Sequence, residues 1–108
     1  MNGDRYSIKT KYLRVNVLML GLAEELLHYR FETGEPPKEF LFVFYKNSKE
    51  FNNFQPYGRG GKTIVTIVDN ETKQRYTGVA VCSMQDQFSY KAGRELALER
   101  AWSQVNQG

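Results

Sequence analysis

Hydrophobic positions in this chain follow two rhythms. Residues 12 to 31 carry them at helical spacing, with Val15, Leu18, Leu22, Leu26 and Tyr29 on one stripe and Met19, Ala23 and Leu27 widening it. Gly34 and the Pro36-Pro37 pair supply the stop. Upstream, Tyr6, Ile8, Thr10 and Tyr12 alternate as a strand does, which leaves the helix start open between Ser7 and Arg14. Phe40 to Tyr45 is an unbroken apolar run of strand length, expected to be buried on both faces. Thr63 to Val68 and Arg75 to Cys82 are two β-rich segments around the turn chemistry of Asp69 to Lys73, a hairpin signal. Asn47 to Lys62 reads as a long polar loop, and a final helix is predicted from about Asp86 to Val105. The order helix, strand, loop, hairpin, helix predicts one α+β domain over residues 1–108. It is a small antiparallel sheet with an N-terminal helix and a C-terminal helix packed on it.

The final helix is the most informative stretch. Ser83-Met-Gln-Asp86 matches a capping box, and Asp86 is a candidate N-cap. Gly93, Ala97 and Ala101 fall on one line, where small side chains let a helix approach another backbone closely. Phe88, Ala92, Leu96, Leu98 and Trp102 lie off that line and leave no wide polar face. One reading is a core helix; the sharper one is burial on two sides, by its own sheet and by a second copy, so a homo-oligomer is expected. Tyr90 and Arg94, four residues apart near the helix start, suit stacking on a base and clamping a phosphate, with Asp86 and Phe88 beside them. They equally suit plain packing and an ion pair.

Composition sharpens the picture in two places. The 108 residues are 41% hydrophobic and 25% charged, ordinary globular material. Seven Phe, seven Tyr and one Trp are more than so small a core can hide, so some are expected at an interface or ligand site. Several of them fall in the loop, where Phe51, Phe54 and Tyr57 recur every third residue before glycines around Arg59 and Lys62. That pattern suits rings on bases and backbone amides on phosphate, as well as a plain connection tucked under the sheet. Gly60-Gly61-Lys62-Thr63 imitates a nucleotide-binding P-loop, but Pro56 stands where the first glycine is needed and a strand follows.

A net charge of +3 and a pI of about 9.0 favour anionic partners mildly. They fall short of the dense basic stripe of a duplex binder, so nucleic acid is not the expected partner. Catalytic groupings are weak. His28 is the single histidine and sits on the helical pattern, and Cys82 is the single cysteine. No soft metal site, disulfide or Cys-His couple follows, and no cofactor is expected. Glu24-Glu25 read as a solvated face, while Asp69 and Glu71 belong to the turn. The chain is expected not to be an enzyme. The first residues lack a leader's basic start and apolar core, and Val17 to Ala23 is too short to span a bilayer, so a cytoplasmic protein without membrane contact is expected.

Gly78-Val-Ala80-Val-Cys82, Asp86-Gln-Phe88 and Gly93-Arg94-Glu-Leu-Ala97-Leu-Glu-Arg100-Ala101 together resemble the hairpin-helix cassette of the phage Thoeris anti-defence family. The resemblance covers roughly the last 45 residues of the chain. It implies oligomeric sponges that sequester cyclic ADP-ribose-type signals or cyclic oligonucleotides without cleaving them, in the cytoplasm of an infected host. By that resemblance Arg94 matches a phosphate-gripping position, whereas Tyr90 stands where a second arginine is expected. A protein-interaction inhibitor of a host enzyme such as a CRISPR nuclease, and a single-stranded nucleic-acid binder using the aromatic loop, remain alternatives.

Overall fold

A computed structural model of the chain describes residues 5–16, 38, 41–44 and 56–107. Strands β1 (Tyr6–Val15), β2 (Leu41–Phe44), β3 (Arg59–Asp69) and β4 (Arg75–Gln87) form one antiparallel sheet in the order β2-β1-β3-β4. Helix α1 (Tyr90–Gln107) lies across β3 and β4. The architecture is α+β, as the sequence pattern predicts.

The alternation of Tyr6, Ile8, Thr10 and Tyr12 wins over the helical stripe in its first turns. β1 continues through Val15, pairing Tyr6 with Asp69 and Leu13 with Lys62. Val15, expected on the helical stripe, is a fully buried strand residue. The remainder of the expected N-terminal helix, including His28 and Glu24-Glu25, lies outside the described residues. β2 was expected to be buried on both faces; it is an edge strand, and Leu41 to Val43 are only half-buried. The hairpin forms around the expected turn, but both strands run longer. β3 takes in Arg59 to Lys62 from the predicted loop, and β4 runs on through Asp86 and Gln87.

Asp69 organises the hairpin turn. Its carboxylate accepts from the amides of Glu71 (2.9 Å) and Thr72 (3.4 Å), and Arg5 holds it from the side at 3.4 Å. Short polar side chains suit this place because they bond the backbone two residues on.

The core is the contact between α1 and the sheet. Val65 and Ile67 of β3, Ala80 of β4 and Ala97 and Ala101 of α1 are buried together, with Tyr6, Tyr76, Leu98, Trp102 and Val105 around them. Tyr6 meets Trp102 edge to face with ring centroids 5.2 Å apart. The small-residue line does what its spacing predicts. A methyl group added at Gly78 would overlap the Ala97 carbonyl oxygen and stand 2.6 Å from the Ala101 nitrogen, so helix and strand backbones are in direct contact. Gly93 sits equally close over the Thr63 side chain.

The other faces of α1 are more polar than expected. Lys91, Arg94, Glu95, Glu99, Ser103 and Asn106 are all exposed, and only Ala97 and Ala101 are fully buried. The last residues of α1 also reach the sheet edge, where Arg100 and Gln104 donate to the β4 carbonyls of Val79 (2.5 Å) and Thr77 (2.6 Å). Among the described residues, no helix is long and apolar enough to cross a membrane.

Candidate functional site

The amino end of α1 is set by an irregularity in the hairpin. Between the pairs Gly61–Cys82 and Arg59–Gln87, two residues of advance on β3 face five on β4. The surplus bulges, and β4 turns over the sheet instead of ending at Cys82. Two glycines permit it, because Gly60 and Gly61 have φ of 75° and 124°, where a side chain is strained. Met84 packs against Gly60 and is buried, while the Arg59 guanidinium ties the bulge by donating to the Gln85 carbonyl at 2.6 Å. The Phe88 amide then closes on the Gly58 carbonyl at 2.9 Å.

The helix begins later than predicted, and its cap is a different residue. Asp86 lies exposed in β4. Ser89 is the N-cap: its hydroxyl accepts from the Ala92 amide at 3.1 Å, and its carbonyl receives the Gly93 amide at 3.0 Å. The Ser83 hydroxyl instead accepts from the Gln85 amide inside the bulge.

This turn delivers Phe88 and Tyr90 onto a residue that sequence reasoning passed over. Arg14 is only 6% exposed, so its guanidinium is enclosed. It donates to the Tyr90 hydroxyl at 2.6 Å and to the Tyr57 carbonyl at 2.6 Å. It stacks over the Phe88 ring at 4.3 Å and lies 5.2 Å from the Tyr90 centroid. Tyr12 meets Tyr90 edge to face at 4.8 Å, and Phe88 meets Tyr90 at 5.1 Å. The cation is thus walled by the Phe88 and Tyr90 rings and held by two neutral acceptors. Its Nε is buried without a hydrogen-bond partner, and no carboxylate pairs with it among the described residues. A buried charge normally has an opposite charge beside it, because desolvation costs roughly several kcal/mol. A signal for Arg14 was present. Extending the strand face of Tyr6, Ile8, Thr10 and Tyr12 by one step reaches it, but only if the strand reading is preferred to the helical one.

Beside Phe88 a cleft of about 170 Å³ runs between β4 and the first turns of α1. Val81, Cys82, Phe88, Ala92 and Leu96 make its walls, and Thr63 and Gly93 reach it from below. The Thr63 hydroxyl is fully buried and has no hydrogen-bond partner. Burial pushes the Cys82 thiol up; the Gly60 amide pulls the other way, and the Asp86 carboxylate adds to the rise. Its sulfur lies 3.5–3.7 Å from the carbonyls of Asp86, Ser83 and Gln87, which suits a protonated donor and not a thiolate. Proximity to a helix start does not activate it.

Of the expected ligand residues, Tyr90, Phe88 and Tyr57 come together around Arg14. Arg59 is engaged with its own bulge, and Asp86 is on the strand. Arg94 is exposed one turn further along α1 and has no ion-pair or hydrogen-bond partner among the described residues. Phe54 lies outside the described residues. Gly60-Gly61-Lys62-Thr63 is strand, not a phosphate loop. No group of three or more His, Cys, Asp or Glu is gathered for a metal ion among the described residues. No family model matches the chain, and neither a curated protein nor a solved structure matches it.

Proposed function

We propose that this chain is a non-enzymatic binding protein that captures a small phosphate-bearing ligand of the cyclic nucleotide type at the amino end of α1. In a phage-encoded setting that capture would sequester an immune signal in the host cytoplasm and inhibit defence. The observation that carries the reading is Arg14, a buried guanidinium whose Nε has no hydrogen-bond partner, with aromatic walls and no carboxylate partner among the described residues. An anion brought to this end of the helix gains the opposite charge, the helix dipole and rings for a base. Arg94, exposed on the next turn, supplies a second cation for a second phosphate. The cleft beside Phe88, at about 170 Å³, is smaller than a usual ligand pocket of roughly 300–1,000 Å³. It accommodates a fragment of a nucleotide, so the remaining walls are assigned to a second copy of the chain.

The test is incubation of the protein with cyclic ADP-ribose-type compounds and cyclic oligonucleotides, removal of free compound, heat denaturation and assay of what is released. Intact ligand recovered from the parent, and lost in both Arg14→Met and Arg94→Ala, supports the proposal. No retained ligand, or a cleaved product, overturns it. The exposed Val81 and Leu96 beside the cleft favour a second reading, an inhibitor that docks on a host protein. A stoichiometric protein retained from a bacterial lysate, with no small ligand released, would select it.

A further inference from the structure

The cleft between β4 and the first turns of α1 has the dimensions of one aromatic ring. Its volume is about 170 Å³, and an apolar cavity of roughly 150 Å³ admits benzene. Its walls are mostly apolar, made by the Phe88 ring, by Val81 of β4 and by Ala92 and Leu96 of α1. Phe88 is held from outside the cleft. Its ring rests over Gly61, where a methyl group would come within 3.0 Å of it, and it carries the Arg14 guanidinium. That wall is therefore fixed by packing that an occupant does not have to supply.

Two groups break the apolar lining. Cys82 contributes a half-buried thiol, a soft contact for a ring edge. Thr63 stands at the floor, fully buried, and its hydroxyl has no hydrogen-bond partner. Gly93 lies over this oxygen so closely that a methyl group there would overlap it. A hydroxyl enclosed in this way gains from an acceptor carried in by an occupant.

We propose that the cleft receives a pyrimidine base, with a ring carbonyl accepting from the Thr63 hydroxyl. The assignment rests on the reading of the amino end of α1 as a ligand site, and it adds which unit of the ligand is recognised there. A pyrimidine base has a single ring and a carbonyl beside the sugar. Adenine has a fused second ring and no carbonyl, and a cleft of this volume leaves the second ring of any purine outside its walls. Contact with Thr63 requires α1 to ease away from β3 at Gly93. Phe88 then stands between the base and Arg14, and the phosphate lies on the guanidinium side of that ring. Among cyclic nucleotides, a ligand with at least one pyrimidine is therefore preferred to an all-purine one.

Chemical-shift titration of the isotope-labelled protein with uridine, cytidine and adenosine tests the assignment. Uridine and cytidine are expected to move the amides of Cys82, Ala92 and Gly93 at millimolar concentration, with adenosine at least about tenfold weaker. Ala92→Leu fills the cleft from an exposed helix position. It is expected to abolish uridine binding while circular dichroism and melting temperature stay unchanged. Thr63→Val is expected to weaken uridine at least about tenfold while raising the melting temperature, a combination that damage to the fold does not produce. Adenosine binding as tightly as uridine, no shift with any nucleoside, or uridine binding unaffected by Ala92→Leu or Thr63→Val would each overturn the assignment. The capture proposal has a separate readout. A cyclic oligonucleotide retained equally by the parent and by Ala92→Leu would keep that proposal and overturn this one, whereas uridine in the cleft with no cyclic nucleotide retained would do the reverse.

Discussion

Thr63 and Arg14 are both buried polar residues, and they carry opposite expectations. The Thr63 hydroxyl is sealed between β3 and Gly93 with no partner, a state that costs about 1–3 kcal/mol. Thr63→Val keeps the shape and removes the unpaired group, so it is expected to stabilise the fold by about 1 kcal/mol in urea denaturation. Asp69 is different again. Burial alone would raise its carboxyl, but the Glu71 and Thr72 amides and the Arg5 guanidinium outweigh it, and the group is held below its ordinary value. A depressed value in the folded state means that the stabilisation is present above about pH 4 and is lost as pH falls through the folded value. Melting curves between pH 7 and pH 2 should show Asp69→Asn losing less stability on acidification than the parent. Asp69 was legible as a turn residue because its partners are two and three residues away. Arg14 was not, because Tyr90 and Tyr57 are brought to it by a fold the local pattern does not contain.

Among elements, α1 is the most demanding. Its position depends on Gly78 having no side chain, since a methyl there meets helix backbone that cannot rotate away. Gly78→Ala is expected to cost more than about 3 kcal/mol in chemical denaturation, beyond the usual range for a surface strand. Ser89→Ala removes the N-cap and is expected to cost about 1 kcal/mol, whereas Asp86→Ala, at the position the sequence suggested, should cost almost nothing. The Gly93, Ala97, Ala101 line was readable because helical spacing is a local property. The helix start was misplaced because Ser83-x-x-Asp86 mimics a capping box inside a bulged strand, and the bulge is specified by Gly60 and Gly61 on the opposite strand. β1 was ambiguous for a related reason, as two periodicities overlap between Tyr6 and Val15 and only pairing with β3 decides between them.

At the scale of the whole molecule, the sheet has one long outer strand, β4, whose outward carbonyls are an invitation to further pairing. Arg100 and Gln104 occupy two of them from α1. Arg100→Ala/Gln104→Ala is expected to leave the monomer folded but to shift size-exclusion profiles towards larger species with rising concentration. The α+β class followed from element order, yet the strand order β2-β1-β3-β4 did not, because it places the first strand between the second and the third. The same strand order has a consequence during synthesis. Ser7 bonds Asn70 across 63 residues of chain, so at about 5–20 residues per second β1 waits several seconds for its central neighbour to be made. β2 can pair only Tyr12–Val15 in the meantime, so the Tyr6–Lys11 part left unpaired that long invites aggregation, and Lys9 and Lys11 give it the charge that keeps such a segment dispersed until its partner arrives.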